Sequence, residues 1–260
     1  MSDDSFDVPI LILAFNRPER LRGLIARLRE VRPTAVFLSV DGPREGIKSD
    51  AHLVAEVQRI ATEIDWPCEV HTNFRIENLG CGKAVSTGVD WFFEHVESGI
   101  ILEDDVLPNS DFFNFCQELL TRYADDERVF AISGCNFAPK EHIEQPASYR
   151  FSAITHVWGW ATWRRAWKMY RYDMRDWRKR LPMQQRWKAT GANLGGLIYW
   201  TAVFDWMRFG KLDTWDYQWS LAQMADGGLT ATSNVNLTDN VGFADDATHT
   251  AHQPSFIRPS

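Results

Sequence analysis

The sequence predicts an α/β fold around a mostly parallel sheet, and two patterns in the first 135 residues support this prediction. Short apolar runs alternate with stretches in which apolar residues recur at helical spacing, as expected of consecutive βαβ units. The early apolar runs also end in polar or acidic residues. Because parallel strands place ligand sites outside their carboxyl ends, these polar residues are predicted to share one edge of the sheet.

Five apolar runs in this region are short and bounded by polar or turn residues, which predicts strands. They cover residues 8–15, 35–40, 68–73, 99–102 and 128–133. The first predicted helix opens at Pro18, a residue that is favoured in the first turn of a helix. Three more helices are predicted from apolar stripes, over residues 53–64, 85–96 and 112–123.

After residue 135 the alternation stops. Helices are predicted around residues 161–170, 193–209 and 215–225, and a strand over residues 229–235, before a polar tail. Ten of the twelve tryptophans lie from Trp158 onward, so this half of the chain differs in character from the first. We therefore predict one compact body with two functional halves, residues 1–135 and residues 136–260.

The composition argues against several classes of function. The formal net charge of −7 disfavours a nucleic-acid partner, because phosphate binding needs a concentrated basic surface. The four cysteines show no CxxC spacing, which favours reduced thiols in a cytoplasmic setting over a zinc site or a disulfide framework. The N-terminus lacks the features of a signal peptide, and no apolar run reaches the roughly 18 residues of a membrane span. We therefore expect a soluble protein.

The clearest candidate site is the acidic triplet Glu103-Asp104-Asp105, which directly follows the predicted fourth strand. Adjacent carboxylates repel one another, and a divalent cation relieves that repulsion. Oxygen ligands suit Mg²⁺ or Mn²⁺, which bind one or two carboxylates together with substrate phosphates and water. The alternative is a solvated acidic turn that caps the helix near Asp111.

Polar residues also follow the first three predicted strands. Asn16 and Arg17 follow the first strand, Asp41 the second, and Arg75 and Asn78 the third. Their position at strand ends makes them candidates for ligand contacts. Two alternatives remain, because Asn16-Arg17 can equally be the polar start of a helix and Asp41-Gly42 an ordinary turn.

The loop from Asn78 to Lys83 combines flexible glycines, backbone amides at a helix start and a lysine charge, which together favour phosphate. Gly80 and Lys83 are the candidate ligands in this loop. It is not a P-loop, because Glu77 stands where the first glycine is required and Ala84 replaces the serine or threonine. The alternative is a simple helix cap.

Several segments resemble one family of transferases. The run IILEDDVLPNSDFFNFCQELL resembles the metal-binding region of GT-A glycosyltransferases, closest to the N-acetylglucosaminyltransferase I type, whose Glu-Asp-Asp is a variant of the DXD motif. PILILAFNRPERLRGLIARL and FLSVDG resemble that family's first two strands, and LDTWDYQW resembles its segment with the catalytic carboxylate. The chain is also similar to bacterial sugar transferases of the same superfamily, so the fold does not identify the sugar or the acceptor.

The resemblance implies a GT-A, Rossmann-like fold whose first half binds the nucleotide-sugar and whose helical, tryptophan-rich second half binds the acceptor. Asp105 would be the metal ligand, with Glu103 and Asp104 facing the ribose and base. The other implied nucleotide contacts are Ala14, Asn16, Arg17 and Asp41. His249, in the segment VGFADDATHTAH, is expected to complete the metal shell or touch the diphosphate, although a histidine in a tail is more often only solvated.

Asp216 is the candidate catalytic base. Inverting transfer needs a carboxylate that accepts the proton of the acceptor hydroxyl, and Asp216 lies at a predicted helix start between Trp215 and Trp219. The alternatives are an interaction with the helix dipole, and Asp213 as the base. The tryptophan cluster at Trp158, Gly159 and Trp160 is a candidate acceptor platform, with core packing as its alternative.

The expected reaction is transfer of a sugar from a nucleotide diphosphate, with UDP favoured, to a hydroxyl of a glycan or lipid-linked saccharide, with inversion and with Mn²⁺ or Mg²⁺ as cofactor. Retaining transfer is the nearest alternative, and an inactive carbohydrate-binding protein is another. A sugar nucleotidyltransferase would be expected to carry a glycine-rich loop after the first strand, which AFNRPER lacks. The expected location is cytoplasmic, with peripheral contact at a membrane face left open.

Overall fold

The computed structural model describes residues 6–137 and 147–242, and its strands and helices alternate along the first half of the chain. The strands are β1 (Ile10–Ala14), β2 (Ala35–Val40), β3 (Glu69–Phe74), β4 (Ser98–Glu103), β5 (Val106–Pro108), β6 (Val129–Ser133), β7 (Tyr149–Ser152), β8 (Trp160–Trp163), β9 (Leu229–Ser233) and β10 (Thr238–Asn240). The helices are α1 (Pro18–Val31), α2 (Lys48–Ile60), α3 (Cys81–His95), α4 (Ser110–Arg122), α5 (Arg164–Trp167), α6 (Trp177–Arg180), α7 (Met183–Ala189), α8 (Leu194–Arg208) and α9 (Asp216–Asp226).

Eight strands form one sheet in the order β3-β2-β1-β4-β8-β6-β9-β7, and β5 pairs with β10 in a small second sheet. The neighbours from β3 to β4 are parallel, and so are β6 and β9, whereas β8 and β7 run against their neighbours. Six of the eight strands therefore point the same way. The predicted α/β fold, with a mostly parallel central sheet flanked by helices, is confirmed.

Alternate residues of the central strands pack against different helices. Ile10 and Ile12 of β1 belong to a core layer that α1, α2 and α4 cover, whereas Leu11 and Leu13 face α3, α5 and α9. This alternation follows from the two-residue repeat of a strand, and it explains why β1 reads as a continuous apolar run. A third, smaller apolar cluster lies among α6, α8 and α9, around Trp177 and Phe204.

The prediction of a helix over residues 161–170 was wrong at its start. Trp160–Trp163 is a strand between β4 and β6, and only Arg164–Trp167 is helical. All four residues of this strand are buried, and a short run that is buried on both faces has no period that separates strand from helix. With β7 and β9, this strand extends the same sheet into the second half of the chain.

The strand order places a topological switch point between β1 and β4. From β1 the chain moves outward on one side to β2 and β3, and then it crosses to the other side of β1 to form β4. The loops after β1 and β4 therefore leave in opposite directions, and a crevice opens between them at the carboxyl ends of the strands. Within the described ranges, every helix is too short or too polar to cross a membrane.

Gly159 packs where no side chain fits. Its φ is +76°, and a Cβ placed on it would lie 2.4 Å from Cγ2 of Thr238 in β10. Gly191, after α7, has a similar φ of +63°, but a Cβ there would meet no atom within 4 Å. The two glycines therefore share the backbone requirement and differ in the space around them.

We predict that Gly159→Ala lowers the free energy of unfolding by about 2–4 kcal/mol, because overpacking adds to the cost of a left-handed backbone. The matched control, Gly191→Ala, carries only the backbone cost of about 1 kcal/mol. Urea unfolding of both variants measures the difference. Equal losses would show that the contact between Gly159 and Thr238 is not tight.

Candidate active site

A cleft of about 1430 Å³ opens at the switch point between β1 and β4. Its lining comes from the ends of β1, β2 and β4, from the start of α3, and from the segment that leads into α9. Most of the residues that the sequence predicted for the site line this cleft. They are Ala14, Asn16, Arg17, Asp41, Asn78, Gly80, Glu103, Asp104, Asp105, Trp158 and Asp216.

Four other predicted residues lie outside the lining that the described chain provides. Arg75 donates to the hydroxyl of Thr87 at 2.6 Å, and Lys83 is exposed on α3. Gly159 supports the contact with β10, and Trp160 is 1% exposed in the core, stacked on Trp215 with ring centroids 5.4 Å apart. His249 falls outside the described residues, and its metal role stays a prediction.

Arg17 connects the ends of the two strands that form the switch point. The Asp104 amide donates to the Leu13 carbonyl at 3.0 Å, so the β1–β4 pairing continues into the acidic triplet. Arg17, directly before α1, places Nη1 at 3.1 Å from Oδ2 of Asp105 and at 3.4 Å from Oδ1 of Asp104. Nη1 of Arg20, one helical turn later, is 3.7 Å from the same oxygen of Asp105. Two guanidinium groups thus partly neutralise the triplet.

The remaining negative charge of the cleft is unfavourable. Burial raises the pKa of Glu103 well above its usual range, and the Asp105, Asp104 and Asp216 carboxylates raise it further, against the lowering effect of Arg17. Burial, followed by the Asp105 carboxylate, also raises the pKa of Asp104. Additional positive charge is therefore favoured at this end of the cleft.

The donor set around the triplet fits a hard divalent cation. The carboxylates supply only oxygen ligands, and Gly242 leaves Asp105 room, since a Cβ at this position would be 2.4 Å from Oδ2 of Asp105. Within residues 6–137 and 147–242, three or more acidic, histidine or cysteine side chains do not converge as a ready-made metal site. Such convergence is not required for Mg²⁺ or Mn²⁺, because phosphates and water complete their shells.

Asp50 is a buried carboxylate that positions two residues of the cleft, Asn16 and Arg44. It is 1% exposed, and its Oδ1 accepts from Nδ2 of Asn16 at 2.9 Å. The guanidinium of Arg44 binds both oxygens of Asp50, with Nε at 2.5 Å and Nη2 at 3.0 Å. Arg44 also lies over the ring of Phe15, 5.5 Å from the ring centre. The hydrogen bond from Arg44 is the main reason why the pKa of Asp50 falls to about 2.

Asp41 supports the loop between β3 and α3. It accepts hydrogen bonds from the amides of Gly42 and Leu79 and from Nδ2 of Asn78, all within 2.9–3.2 Å. Burial raises the pKa of Asp41, and the amides of Leu79 and Gly42 oppose that rise. Asn78 also donates to the Gly42 carbonyl at 2.9 Å, so both loops form one rigid wall of the cleft.

The start of α3 already carries a carboxylate. Oδ1 of Asp213 accepts from the amide of Gly82 at 3.0 Å, although 131 residues separate them in sequence. One of the backbone amides at this helix start, which the sequence offered for phosphate, therefore already has a partner. Cys81, beside it in the cleft, has a raised pKa because of burial first and then the carboxylates of Glu103 and Asp213. Its thiol is therefore a poor nucleophile.

Asp216 lines the same cleft as the triplet, at the first residue of α9, and its carboxylate helps to raise the pKa of Glu103. Oδ1 of Asp216 accepts from the hydroxyl of Thr214 at 2.5 Å, which fixes the orientation of the carboxylate. Trp158 and Tyr217 line the cleft near it. Trp219 is fully buried among the residues that pack under α3 and α5, so the aromatic surface of the cleft comes from other residues.

Arg20, Arg44 and Asp50 are among the residues of this site that the sequence did not predict. Arg20 could have been found, because it is three residues after Arg17 and shares its face of a helix. Arg44 and Asp50 could not, because neither lies in a motif and the contact of Asp50 with Asn16 depends on the packing of α2 beside α1.

Neither a protein-family model nor a curated protein matches the sequence. Among solved structures, the inositol-1-phosphate CTP transferase from T. maritima is similar over 97% of this chain and 94% of its own, with 11% identity and a TM-score of 0.41. HddC from Yersinia pseudotuberculosis is similar over 62% of this chain and 78% of its own, with 11% identity and a TM-score of 0.37. A putative glucose-1-phosphate thymidylyltransferase from Bacillus anthracis is similar over 62% of this chain and 73% of its own, with 9% identity and a TM-score of 0.37. Similarity of this degree carries no inference about the substrate.

We predict that Asp50→Asn lowers the free energy of unfolding by about 1 kcal/mol near neutral pH. The loss is small because Arg44 is half exposed, and solvent weakens its ion pair with Asp50. A depressed pKa stabilises the fold above the ordinary value of 3.8, and this stabilisation is lost as the pH falls through about 2. The difference between the wild type and the variant should therefore shrink between pH 4 and pH 2.

The matched control is Asp65→Asn, which removes a carboxylate paired with Arg29 at 2.8 Å on the open surface. Exposed pairs contribute little to stability, so this variant should unfold like the wild type. Denaturant unfolding at several pH values measures both variants. A pH-independent loss in Asp50→Asn would mean that its role is steric and not electrostatic.

Proposed function

We propose that this chain is a glycosyltransferase that moves a sugar from a nucleotide diphosphate, with UDP favoured, to a hydroxyl of a glycan or lipid-linked saccharide. One observation carries the proposal. A single cleft at the switch point is lined by arginines, by the acidic triplet and by the oriented carboxylate of Asp216. This combination suits a donor with an anionic leaving group and an acceptor that must lose a proton.

The nucleoside end of the donor is assigned to the wall formed by the loops after β2 and β3. Both N–H groups of Asn78 are used by Asp41 and Gly42, which leaves its carbonyl oxygen to accept from a base N–H. Asn16 is held by Asp50 on the same side of the cleft. Because these side chains are fixed before binding, little conformational entropy would be lost on contact with the nucleotide.

The diphosphate is assigned to the end of the cleft with Arg17 and Arg20. Their guanidinium groups lie beside Asp105 and can also pair with phosphate oxygens. Asp105 would hold Mn²⁺ or Mg²⁺ together with these oxygens, and His249 is a further candidate ligand outside the described residues. When bound, the ion would neutralise charge that develops on the departing diphosphate.

Asp216 is proposed as the base. The acceptor hydroxyl gives its proton to Asp216 while its oxygen bonds to the anomeric carbon, and the bond from that carbon to the diphosphate oxygen breaks with both electrons leaving on the diphosphate. Thr214 occupies Oδ1 of Asp216, so Oδ2 is the oxygen that can accept the proton. Trp158 and Tyr217 offer aromatic faces to the acceptor sugar.

We assign Asp213 a positioning role instead, because its hydrogen bond joins two distant segments, whereas that of Asp216 is local. Oδ1 of Asp213 is engaged by the first turn of α3, and the residue holds the segment before α9 against that helix. Asn at position 213 could still accept this hydrogen bond through its amide oxygen. The two neighbouring carboxylates therefore respond differently to the same substitution.

We predict that Asp216→Asn lowers turnover by roughly 10²–10⁴-fold, because the amide cannot accept the proton, while donor binding is retained. Asp213→Asn, the matched control, should keep most of its turnover. Release of UDP in the presence of acceptor measures turnover, and calorimetry measures donor binding. Full turnover in Asp216→Asn would remove the proposed base.

We predict that a correct donor with Mn²⁺ raises the melting temperature by roughly 5–10 °C at a hundred times its Kd, because only the folded protein binds it. Asp105→Ala should lose the part of this shift that depends on the metal, and Asp216→Asn should keep it. A panel of nucleotide sugars, scanned with Mn²⁺ and with a chelator, measures the effect. An equal shift under both conditions would contradict a metal role for Asp105.

The reaction products separate this proposal from its alternatives. A nucleotidyltransferase would release pyrophosphate from a nucleoside triphosphate and a sugar phosphate, and an inactive binding protein would release no product. Retaining transfer would give the anomeric configuration of the donor, which NMR of the product identifies. Only UDP release that depends on the acceptor, with an inverted product, agrees with the full proposal.

A further inference from the structure

Helix α8 is apolar on two opposite sides. One side packs into the third apolar cluster through Trp200, Val203, Phe204 and Met207. The other side, which we call the outer face of α8, consists of Leu194, Ile198, Tyr199, Trp206 and the following residue Phe209. These five side chains are 52–67% exposed. Burial in the core accounts for the first side only, and contiguous exposed apolar groups of this size mark an interaction surface.

Basic residues border the outer face. The guanidinium of Arg208 lies 5.6 Å from the ring centre of Phe209, and the amide of Lys211 donates to the Trp206 carbonyl at 2.9 Å. The only acidic residue of α8, Asp205, is paired with Arg178 at 2.5 Å. On the neighbouring helix α7, exposed Trp187 precedes exposed Lys188.

The charge of this region is opposite to that of the whole chain. Between residues 183 and 212, which form α7, α8 and the segment after them, the sequence has four basic residues and one acidic residue, whereas the complete chain has a net charge of −7. A basic surface with protruding tryptophan, tyrosine and aliphatic side chains is complementary to anionic lipid headgroups above an apolar interior. A second copy of this chain would instead bring two basic surfaces together, which is unfavourable.

We propose that the outer face of α8 docks on an anionic lipid surface. The helix has 15 residues and is roughly 22 Å long, shorter than the hydrocarbon core of a bilayer, so it would lie in the interface and not cross it. The apolar side chains enter the region below the headgroups, and Arg208 and Lys211 contact the phosphates. The contact has two contributions, one apolar and one that salt weakens.

The outer face is continuous with the cleft. The segment after Phe209 leads through Leu212, which lines the cleft, to Asp216. Tyr199 of the outer face interacts with the hydroxyl of Tyr217, which also lines the cleft. If the proposed function is correct, docking brings Asp216 and Tyr217 close to a lipid-linked saccharide. Docking itself does not depend on that reaction.

The test uses the full chain and sedimentation with vesicles of phosphatidylcholine alone or of equal parts phosphatidylcholine and phosphatidylglycerol. We expect binding to the anionic vesicles that weakens at high salt, and little binding to phosphatidylcholine.

The double variant Ile198→Ser and Trp206→Ser should bind the anionic vesicles at least roughly ten-fold more weakly than the wild type. Arg208→Ala and Lys211→Ala should each weaken binding roughly five-fold. The control is Ile76→Ser, at a residue 91% exposed after the edge strand β3, and it should bind as the wild type.

Three results would overturn the proposal. The first is no binding to either vesicle, and the second is equal binding to both. The third is wild-type binding by the double variant, because charge alone would then explain the binding. A dimer in gel filtration that the double variant converts to a monomer, without vesicle binding, would instead make the outer face an interface between copies. Circular dichroism verifies that the variants fold. Turnover with a water-soluble acceptor, which the double variant should retain, separates failure of docking from failure of the proposed function.

Discussion

The arrangement of the cleft depends on Arg17, which pairs with neighbouring carboxylates that repel one another. The pairing of β1 with β4 carries Glu103, Asp104 and Asp105 to a place where burial raises the pKa of the first two, and the Asp216 carboxylate raises that of Glu103 further. Helix α1 begins directly after β1, with Pro18 in its first turn, and this brings Arg17 and Arg20 against the same carboxylates. The segment NRPER therefore sets the end of the strand, the start of the helix and the compensating charge together.

The other carboxylates around the cleft have different partners, and their partners suggest their roles. Asp41, Asp50 and Asp213 each bind backbone amides or side chains of a second loop, and each joins two segments of the wall. Glu103 and Asp105 instead face other carboxylates and arginines. Groups whose hydrogen bonds are already made support the site, whereas groups left in mutual repulsion are those that a bound ligand can stabilise.

The sequence predicted the first half of the fold well because its signals are local. The strands 10–14, 35–40 and 98–103 are apolar runs of ordinary length, and the helices after them have clear periods. The second half was harder because Trp160–Trp163 is buried on both faces, and because the roles of its tryptophans depend on packing. Trp160 and Trp219 proved to be core, while Trp158 lines the cleft. The contact between Asp213 and Gly82 joins distant segments, and no local pattern encodes it.

The strand directions also explain why the two halves meet at one cleft. A helix that precedes a parallel strand must begin at the edge where parallel strands end, so α1, α3 and α9 all start at the edge that carries the acidic triplet. Arg17, Gly80 and Asp216 stand at these three starts, and all of them line the cleft. The amino-terminal ends of helices carry partial positive charge. The start of α3 is already paired with Asp213 and that of α9 carries Asp216, so the start of α1, with Arg17 and Arg20, is the one that favours an anionic ligand, and the proposed diphosphate would lie there.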